Sequence, residues 1–250
     1  MSRDADGSMD REILLTARGV SKSFGAVRVL HEVSFDVRRG EVLGILGPNG
    51  AGKTTLFNMI SGDLKASGGE IQLGDTALRG EPPFRRCQMG IGRTYQIPRP
   101  YSGMTTFENL LVAAAFGGGR SEKQSYAFCA QVLRDCELSD KANVSAGALT
   151  LLDRKRLELA RALATEPRVL LLDEIAGGLT EGECGLLVDT IRAIHKGGMS
   201  IIWIEHVLHA LNSVVERLLV LNFGKIIGMG TPDVVMTSRE VREIYLGIEI

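Results

Sequence analysis

The run Gly47-Pro48-Asn49-Gly50-Ala51-Gly52-Lys53-Thr54-Thr55 constrains this chain more than any other stretch. It fits G-x-x-x-x-G-K-[ST], a loop whose glycines let successive backbone N–H groups turn inward around a polyphosphate. The letters carry weight only between a buried strand and a helix. Val42–Leu46 is a nearly continuous apolar run, as in a strand covered on both faces, and 54–61 has helical spacing. The helix N-terminus adds partial positive charge. Lys53 then reaches the β- and γ-phosphates, and the Thr54 hydroxyl holds Mg²⁺.

A second apolar run, 169–172, ends in Asp173-Glu174. An acid at the end of such a strand lies at the sheet's C-terminal edge, beside the phosphate loop. Asp173 there orients Mg²⁺ or its water shell, and Glu174 polarises an attacking water as a general base.

Further strands are expected at 13–20, 33–37, 70–73 and Ser200–Ile204, with a hairpin of 218–221 and 225–229 around Asn222-Phe223-Gly224. Helices are expected at 106–116, 124–136, 153–165, 186–195 and 238–245. Buried strands alternating with helices argue for an α/β fold with a largely parallel sheet. Residues 97–148 show no strand-like run and read as an inserted helical subdomain. Residues 79–103, rich in Arg, Pro and Gly, read mostly as loops. Residues 1–11 read as a frayed, disordered tail.

Composition narrows the class. With 44% hydrophobic and 24% charged residues, the 250-residue chain is neither disordered nor a coiled coil. A net charge of −1 gives no general attraction for nucleic acid. No apolar run is long enough to span a bilayer, and residues 1–12 lack the apolar core of a secretory signal. Cys87, Cys129, Cys136 and Cys184 show neither CxxC pairs nor zinc spacing and read as reduced cytosolic thiols. His206 and His209 form an H-x-x-H pair without an evident third ligand. Arg85, Arg86, Arg93 and Arg99 read as a solvated loop or docking surface, and Arg154-Lys155-Arg156 as the exposed part of an amphipathic helix.

Together these motifs resemble the ATP-binding cassette (ABC) ATPases over nearly the whole chain. The resemblance implies a P-loop NTPase (RecA-like) core with an antiparallel β subdomain and an inserted helical subdomain. It makes 12–250 one ABC ATPase domain. Residues 12–96 and 149–222 form the core with the β subdomain, 97–148 the helical subdomain, and 223–250 a C-terminal extension. Gly47, Asn49, Gly50, Ala51, Gly52, Lys53, Thr54 and Thr55 become ATP-binding residues, with Phe24 stacking on adenine. Gln96 matches the glutamine that touches Mg²⁺ beside Thr54 and Asp173. His206 matches the histidine on the γ-phosphate, catalytic alongside Glu174. Ala176-Gly177-Gly178-Leu179-Thr180 falls where the family crosses to the opposite subunit.

Phe107-Glu108-Asn109-Leu110, Glu205-His206 and the ending from Val241 to Gly247 look like the ATPases of branched-chain and hydrophobic amino acid importers. Such a subunit hydrolyses ATP on the inner face of the cell membrane, cytoplasmic and peripheral. It works with two transmembrane permease subunits and a second ATPase, a different chain or another copy of this one. A periplasmic binding protein takes part indirectly, and nucleic acid does not. The segment 97–101 falls where a short helix of the permease docks.

One departure stands out. The family's Leu-Ser-Gly-Gly-Gln signature, which caps the phosphate bound to the other subunit, here reads Leu149-Thr150-Leu151-Leu152-Asp153. A leucine keeps the N–H but adds bulk and resists positive φ. Asp153 adds negative charge. Either the loop keeps its shape and its donors, or this chain pairs asymmetrically with an ATPase that has an ordinary signature. An alternative function follows from the same residues: a nucleotide-clamping subunit with little hydrolysis of its own.

Overall fold

Strand periodicity divides the interior into two cores. In β3 (Val42–Leu46), Val42 and Leu46 join one apolar cluster, while Leu43 and Ile45 join another. The strands Val169–Asp173 and Ser200–Ile204 split in the same way: Leu170, Leu172, Ile201 and Trp203 face one core, and Val169, Leu171, Ile202 and Ile204 the other. Alternate side chains point to opposite faces, so a continuous apolar run fills two layers at once.

The computed structural model describes residues 11–205, 211 and 213–246. Its strands continue as β1 (Ile13–Phe24), β2 (Val27–Arg38), β4 (Gly68–Leu73), β5 (Thr76–Ala77), β6 (Ile91–Arg93), β7 (Val169–Asp173), β8 (Ser200–Ile204), β9 (Arg217–Asn222) and β10 (Lys225–Gly230). The six-stranded sheet runs β10-β9-β3-β8-β7-β6, parallel except for the β9–β10 hairpin. The second sheet, β2-β1-β4-β5, is antiparallel.

The helices are α1 (Lys53–Ser61), α2 (Pro83–Gln88), α3 (Thr106–Val112), α4 (Glu122–Asp135), α5 (Leu151–Ala164), α6 (Glu181–Lys196), α7 (Pro232–Thr237) and α8 (Arg239–Leu246). Leu56, Phe57, Met59 and Ile60 of α1 belong to the core shared with the antiparallel sheet, and α3 to α6 contribute to the opposite core. α3 runs on through a π-helical turn, Ala113–Gly117.

The α/β architecture with an antiparallel sheet is the expected one, and residues 97–148 carry α3 and α4 without a strand. Three local expectations need correction. The supposed loop region 79–103 contains α2, with proline at its first position, and the three-residue β6. α6 starts at Glu181 rather than 186 because Thr180 caps it in a reciprocal box with Glu183. β1 and β2 are twelve residues each, longer than the apolar alternation indicated.

Strand order places the site. β8 lies between β3 and β7, and its Ile204 sits beside Ile45 on one side and Asp173 on the other. The phosphate loop after β3 and the acids ending β7 therefore emerge at the same sheet edge, where open α/β sheets bind ligands.

Candidate functional site

Gly52 precedes α1 with φ of 103°, a conformation that glycine adopts without a Cβ penalty. A Cβ there would meet the Leu30 side chain at 2.7 Å. A Cβ on Gly47 would sit 2.4 Å from the Leu221 carbonyl oxygen. Both glycines thus let the loop lie tightly between β2 and β9. The Lys53 ammonium curls back and donates to the carbonyls of Gly47 (2.6 Å) and Pro48 (3.1 Å). Burial lowers its pKa, while Glu174 and Asp173 pull it back up. Pro48, Asn49, Gly50 and Thr54 face solvent, Thr55 is half-buried, and Ala51 and Gly52 are buried. The loop's far side is held by the β9–β10 turn, where the Gly224 N–H donates to the Ala51 carbonyl (3.0 Å).

Asp173 ends β7 with its side chain 7% exposed. The Arg93 guanidinium donates to it (3.0 Å) and also to Asn58 (2.6 Å), Ser61 (2.9 Å) and Asp63 (3.0 Å). Burial raises the Asp173 pKa, and the bond to Arg93 opposes that rise. Glu174 follows in the left-handed region, φ 44°, and its carboxylate accepts a hydrogen bond from the Gln96 amide (2.6 Å). The site thus brings together Lys53, Asp173, Glu174 and Gln96. Thr54, Asp173 and Gln96 offer hard oxygen donors. Such a set suits Mg²⁺, which takes one or two carboxylates and fills the rest of its shell with phosphate and water.

Phe24 ends β1 with a half-exposed ring, and the Lys22 ammonium lies 4.8 Å from the ring centroid. It pairs with Val27 at the start of β2, and Val29 and Leu30 farther along that strand flank Gly52. An aromatic face is therefore presented at the end of β1, next to β2, the strand that borders the phosphate loop. His206 and His209 lie outside the described residues.

The 149–153 segment forms the start of α5. Thr150 is the N-cap: its hydroxyl accepts from the Asp153 N–H (3.2 Å) and donates to the Asp153 carboxylate (2.9 Å). Leu151 opens α5 and Leu152 follows in its first turn, so the expected conflict with positive φ does not arise. Leu149 and Leu152 are buried. Leu151 is 43% exposed and leans toward Gly178 of the 176–180 segment. The N–H groups of Leu151 and Leu152 remain at a helix N-terminus, where an anion binds well. The Asp153 carboxylate already supplies negative charge there, and it occupies the Thr150 hydroxyl.

The basic stretches behave differently from the solvated surfaces expected of them. Arg85 and Arg99 are exposed, but Arg86 is buried and donates to the carbonyls of Met59, Ile60, Leu78 and Glu81. Three of α5's cations also diverge: Arg154 is exposed, whereas Lys155 and Arg156 are buried, Arg156 pairing with Glu137. Sequence reasoning missed these because charge by itself reads as surface. Between α2, β6, α3 and α5 runs a cleft of about 370 Å³, lined by Phe84, Tyr95, Tyr101 and Phe116 together with Arg99 and Arg161. Among the described residues no helix is long and apolar enough to cross a membrane.

Comparison with known proteins identifies a family. The family described as ABC transporter matches residues 30–177. The high-affinity branched-chain amino acid transport ATP-binding protein BraF of Pseudomonas aeruginosa is 34% identical over 251 residues, covering 94% of this chain and 98% of BraF. LivG of Escherichia coli, with the same description, is 34% identical over 249 residues, at 94% and 98% coverage. The lipopolysaccharide export ATP-binding protein LptB of Haemophilus influenzae is 32% identical, covering 94% and 97%. Among solved structures, the ADP conformation of the ATP-binding cassette MJ1267 aligns with a TM-score of 0.86 at 30% identity, covering 94% of this chain and 99% of that one. A nucleotide-free ATP-binding cassette aligns with a TM-score of 0.85, also at 30% identity, covering 94% and 100%.

Proposed function

The chain belongs to the ABC transporter family as an ATP-binding subunit, and on that footing we propose that it hydrolyses ATP to drive an importer of branched-chain or other hydrophobic amino acids. The observation that carries this reading is the meeting of Lys53, Asp173, Glu174 and Gln96 at one sheet edge, beside the N-terminus of α1. The names of BraF and LivG support the solute class. Their identity exceeds that of the lipopolysaccharide exporter by little, so the cargo rests on the permease partners.

In this reading the phosphates of ATP lie against the loop N–H groups from Gly47 to Thr55, with adenine on Phe24. Lys53 exchanges its two carbonyl partners for phosphate oxygens. Thr54, Asp173 and Gln96 would hold Mg²⁺, which would supply positive charge against the phosphates. Glu174 takes the proton of the attacking water, and Gln96 orients that carboxylate. His206 contacts the γ-phosphate. Two ATP-binding subunits close around nucleotide, and their higher affinity in the closed form shifts the permease. Residues 97–148 move as a helical subdomain in that closure, and a permease helix seats in the aromatic cleft beside Gln96. The subunit then lies on the inner face of the membrane, paired with two permeases and a second ATPase and fed by a periplasmic binding protein.

The bond between Thr150 and Asp153 favours a different ATPase as partner. Its ordinary signature would complete the site made by Lys53, Glu174 and His206, while 149–153 caps the reciprocal site poorly. The same bond supports a second reading, a nucleotide clamp with little turnover. Light scattering of the full-length Glu174→Gln chain with Mg-ATP tests the pairing. A monomer that binds ATP supports the asymmetric pair. A dimer holding two ATP shows that 149–153 caps phosphate after all, and failure to bind ATP overturns the role of Lys53.

A further inference from the structure

α5 carries a buried cation that the chemistry above does not use. Lys155 is 2% exposed, and its ammonium donates to the backbone carbonyl of Gln96 (2.6 Å). The Gln96 side chain in turn donates to Glu174 (2.6 Å). Two short hydrogen bonds thus join α5 to the Glu174 carboxylate through a single residue. Glu205, Glu158 and Glu174 face the ammonium and counter the burial that lowers its pKa. Glu205 also accepts from the Ala176 N–H (3.3 Å), at the start of the segment leading into α6. The Gln96 loop, the end of β8, the turn after Glu174 and α5 therefore converge on one charge.

Packing alone does not account for a lysine here. Its alkyl stem fills space no better than a methionine, and dehydrating an ammonium costs several kcal/mol unless it gains strong partners. Its direct partner is the main chain of an exposed loop, at Gln96. Tyr95, Gln96 and Ile97 are exposed. On one side of Gln96 the Thr94 N–H donates to the Leu171 carbonyl (2.9 Å) and the Tyr95 backbone bonds Glu158; on the other the Arg99 N–H donates to Glu158 (3.3 Å) and Arg161 donates to the Arg99 carbonyl (2.8 Å). Lys155 grips the loop between those two points.

We propose that Lys155 is a positioning residue that ties the Gln96 main chain to α5, so that the aim of the Gln96 amide at Glu174 follows the position of α5. Because Thr150 caps α5 and Leu151 opens it, a displacement of the signature segment would reach the hydrolytic carboxylate through this link. The proposal rests on the roles given to Gln96 and Glu174 under Proposed function.

Two variants separate this role from packing. Lys155→Met keeps the stem and removes the donor, whereas Lys155→Arg keeps a cationic donor. Hydrogen exchange on the full-length chain needs no turnover. In Lys155→Met, amides of 94–101 should exchange about tenfold faster while 157–164 keep their protection. Lys155→Arg should restore the loop. In the assembled complex, Lys155→Met should lower kcat about tenfold at unchanged KM for ATP, and add nothing in a Gln96→Ala background. Unchanged protection of 94–101, a loss spread equally over α5, or full additivity with Gln96→Ala would each overturn the proposal. A wild-type complex without turnover would refute the proposed function instead, and the exchange data would still decide the role of Lys155.

Discussion

Replacing Arg93 with methionine should be among the most costly single changes near the site. The Arg93 and Asp173 side chains are only 8% and 7% exposed, and they are 3.0 Å apart. Removing one partner of such a pair leaves a buried charge uncompensated, at a cost of about 3–5 kcal/mol. A ceiling applies, because the orphaned carboxyl can take up a proton. Holding an ordinary aspartate protonated at neutral pH costs about 4 kcal/mol. Asp63, more exposed, adds less than about 1 kcal/mol. The expected loss at pH 7 is therefore about 3–4 kcal/mol, read from urea midpoints and slopes. Its pH dependence has a definite sign. Burial already raises the Asp173 pKa, and Arg93 holds it down, so the variant raises it further. The folded variant then keeps a proton that the unfolded chain has released. Its deficit is complete above the raised folded value and shrinks as pH falls toward the ordinary carboxylate range. A loss under about 1 kcal/mol, as an exposed ion pair gives, would mean that the Arg93–Asp173 pair is not buried as described. So would a deficit that grows on acidification.

Two further outcomes are expected. Gly224→Ala puts a Cβ 2.1 Å from the Val29 carbonyl oxygen at φ 72°, so it should cost more than about 2 kcal/mol. It should also weaken ATP binding, since Gly224 holds Ala51; a melting temperature and ATP affinity matching wild type would contradict this. Changing Leu151 and Leu152 together to glycine should lower stability by about 3–4 kcal/mol, from helix propensity and lost burial of Leu152. The same change should raise ATP turnover in the assembled complex. Unchanged or lower turnover would remove the asymmetric reading.

The phosphate loop and the α/β core were legible because both rest on local patterns. A glycine-rich loop needs a strand before it and a helix after it, and 42–61 displays all three in order. The two-layer burial of β3, β7 and β8 follows from uninterrupted apolar runs. The buried cations were not legible. Arg93 and Asp173 are 80 positions apart, and Lys155 and Gln96 are 59 apart. Only the folded arrangement pairs them, so each charge alone looks solvated. β6 is too short for periodicity to register, and it forms because Ile91 and Gly92 pair with Val169 and Leu170. Other signals were present: Pro82-Pro83 marks the start of α2, Thr180 with Glu183 marks the start of α6, and Thr150 with Asp153 shows that the leucines begin a helix.

The most decisive measurement is steady-state phosphate release by the complex assembled with its membrane partners. Release should be continuous with the wild-type chain. It should be almost completely lost in Glu174→Gln, with ATP still bound, and Lys53→Ala should lose ATP binding at this chain's own loop. A Glu174→Gln complex that turns over like wild type would contradict the role of that carboxylate. A wild-type complex that binds ATP but releases no phosphate would leave the chain a nucleotide clamp rather than a motor.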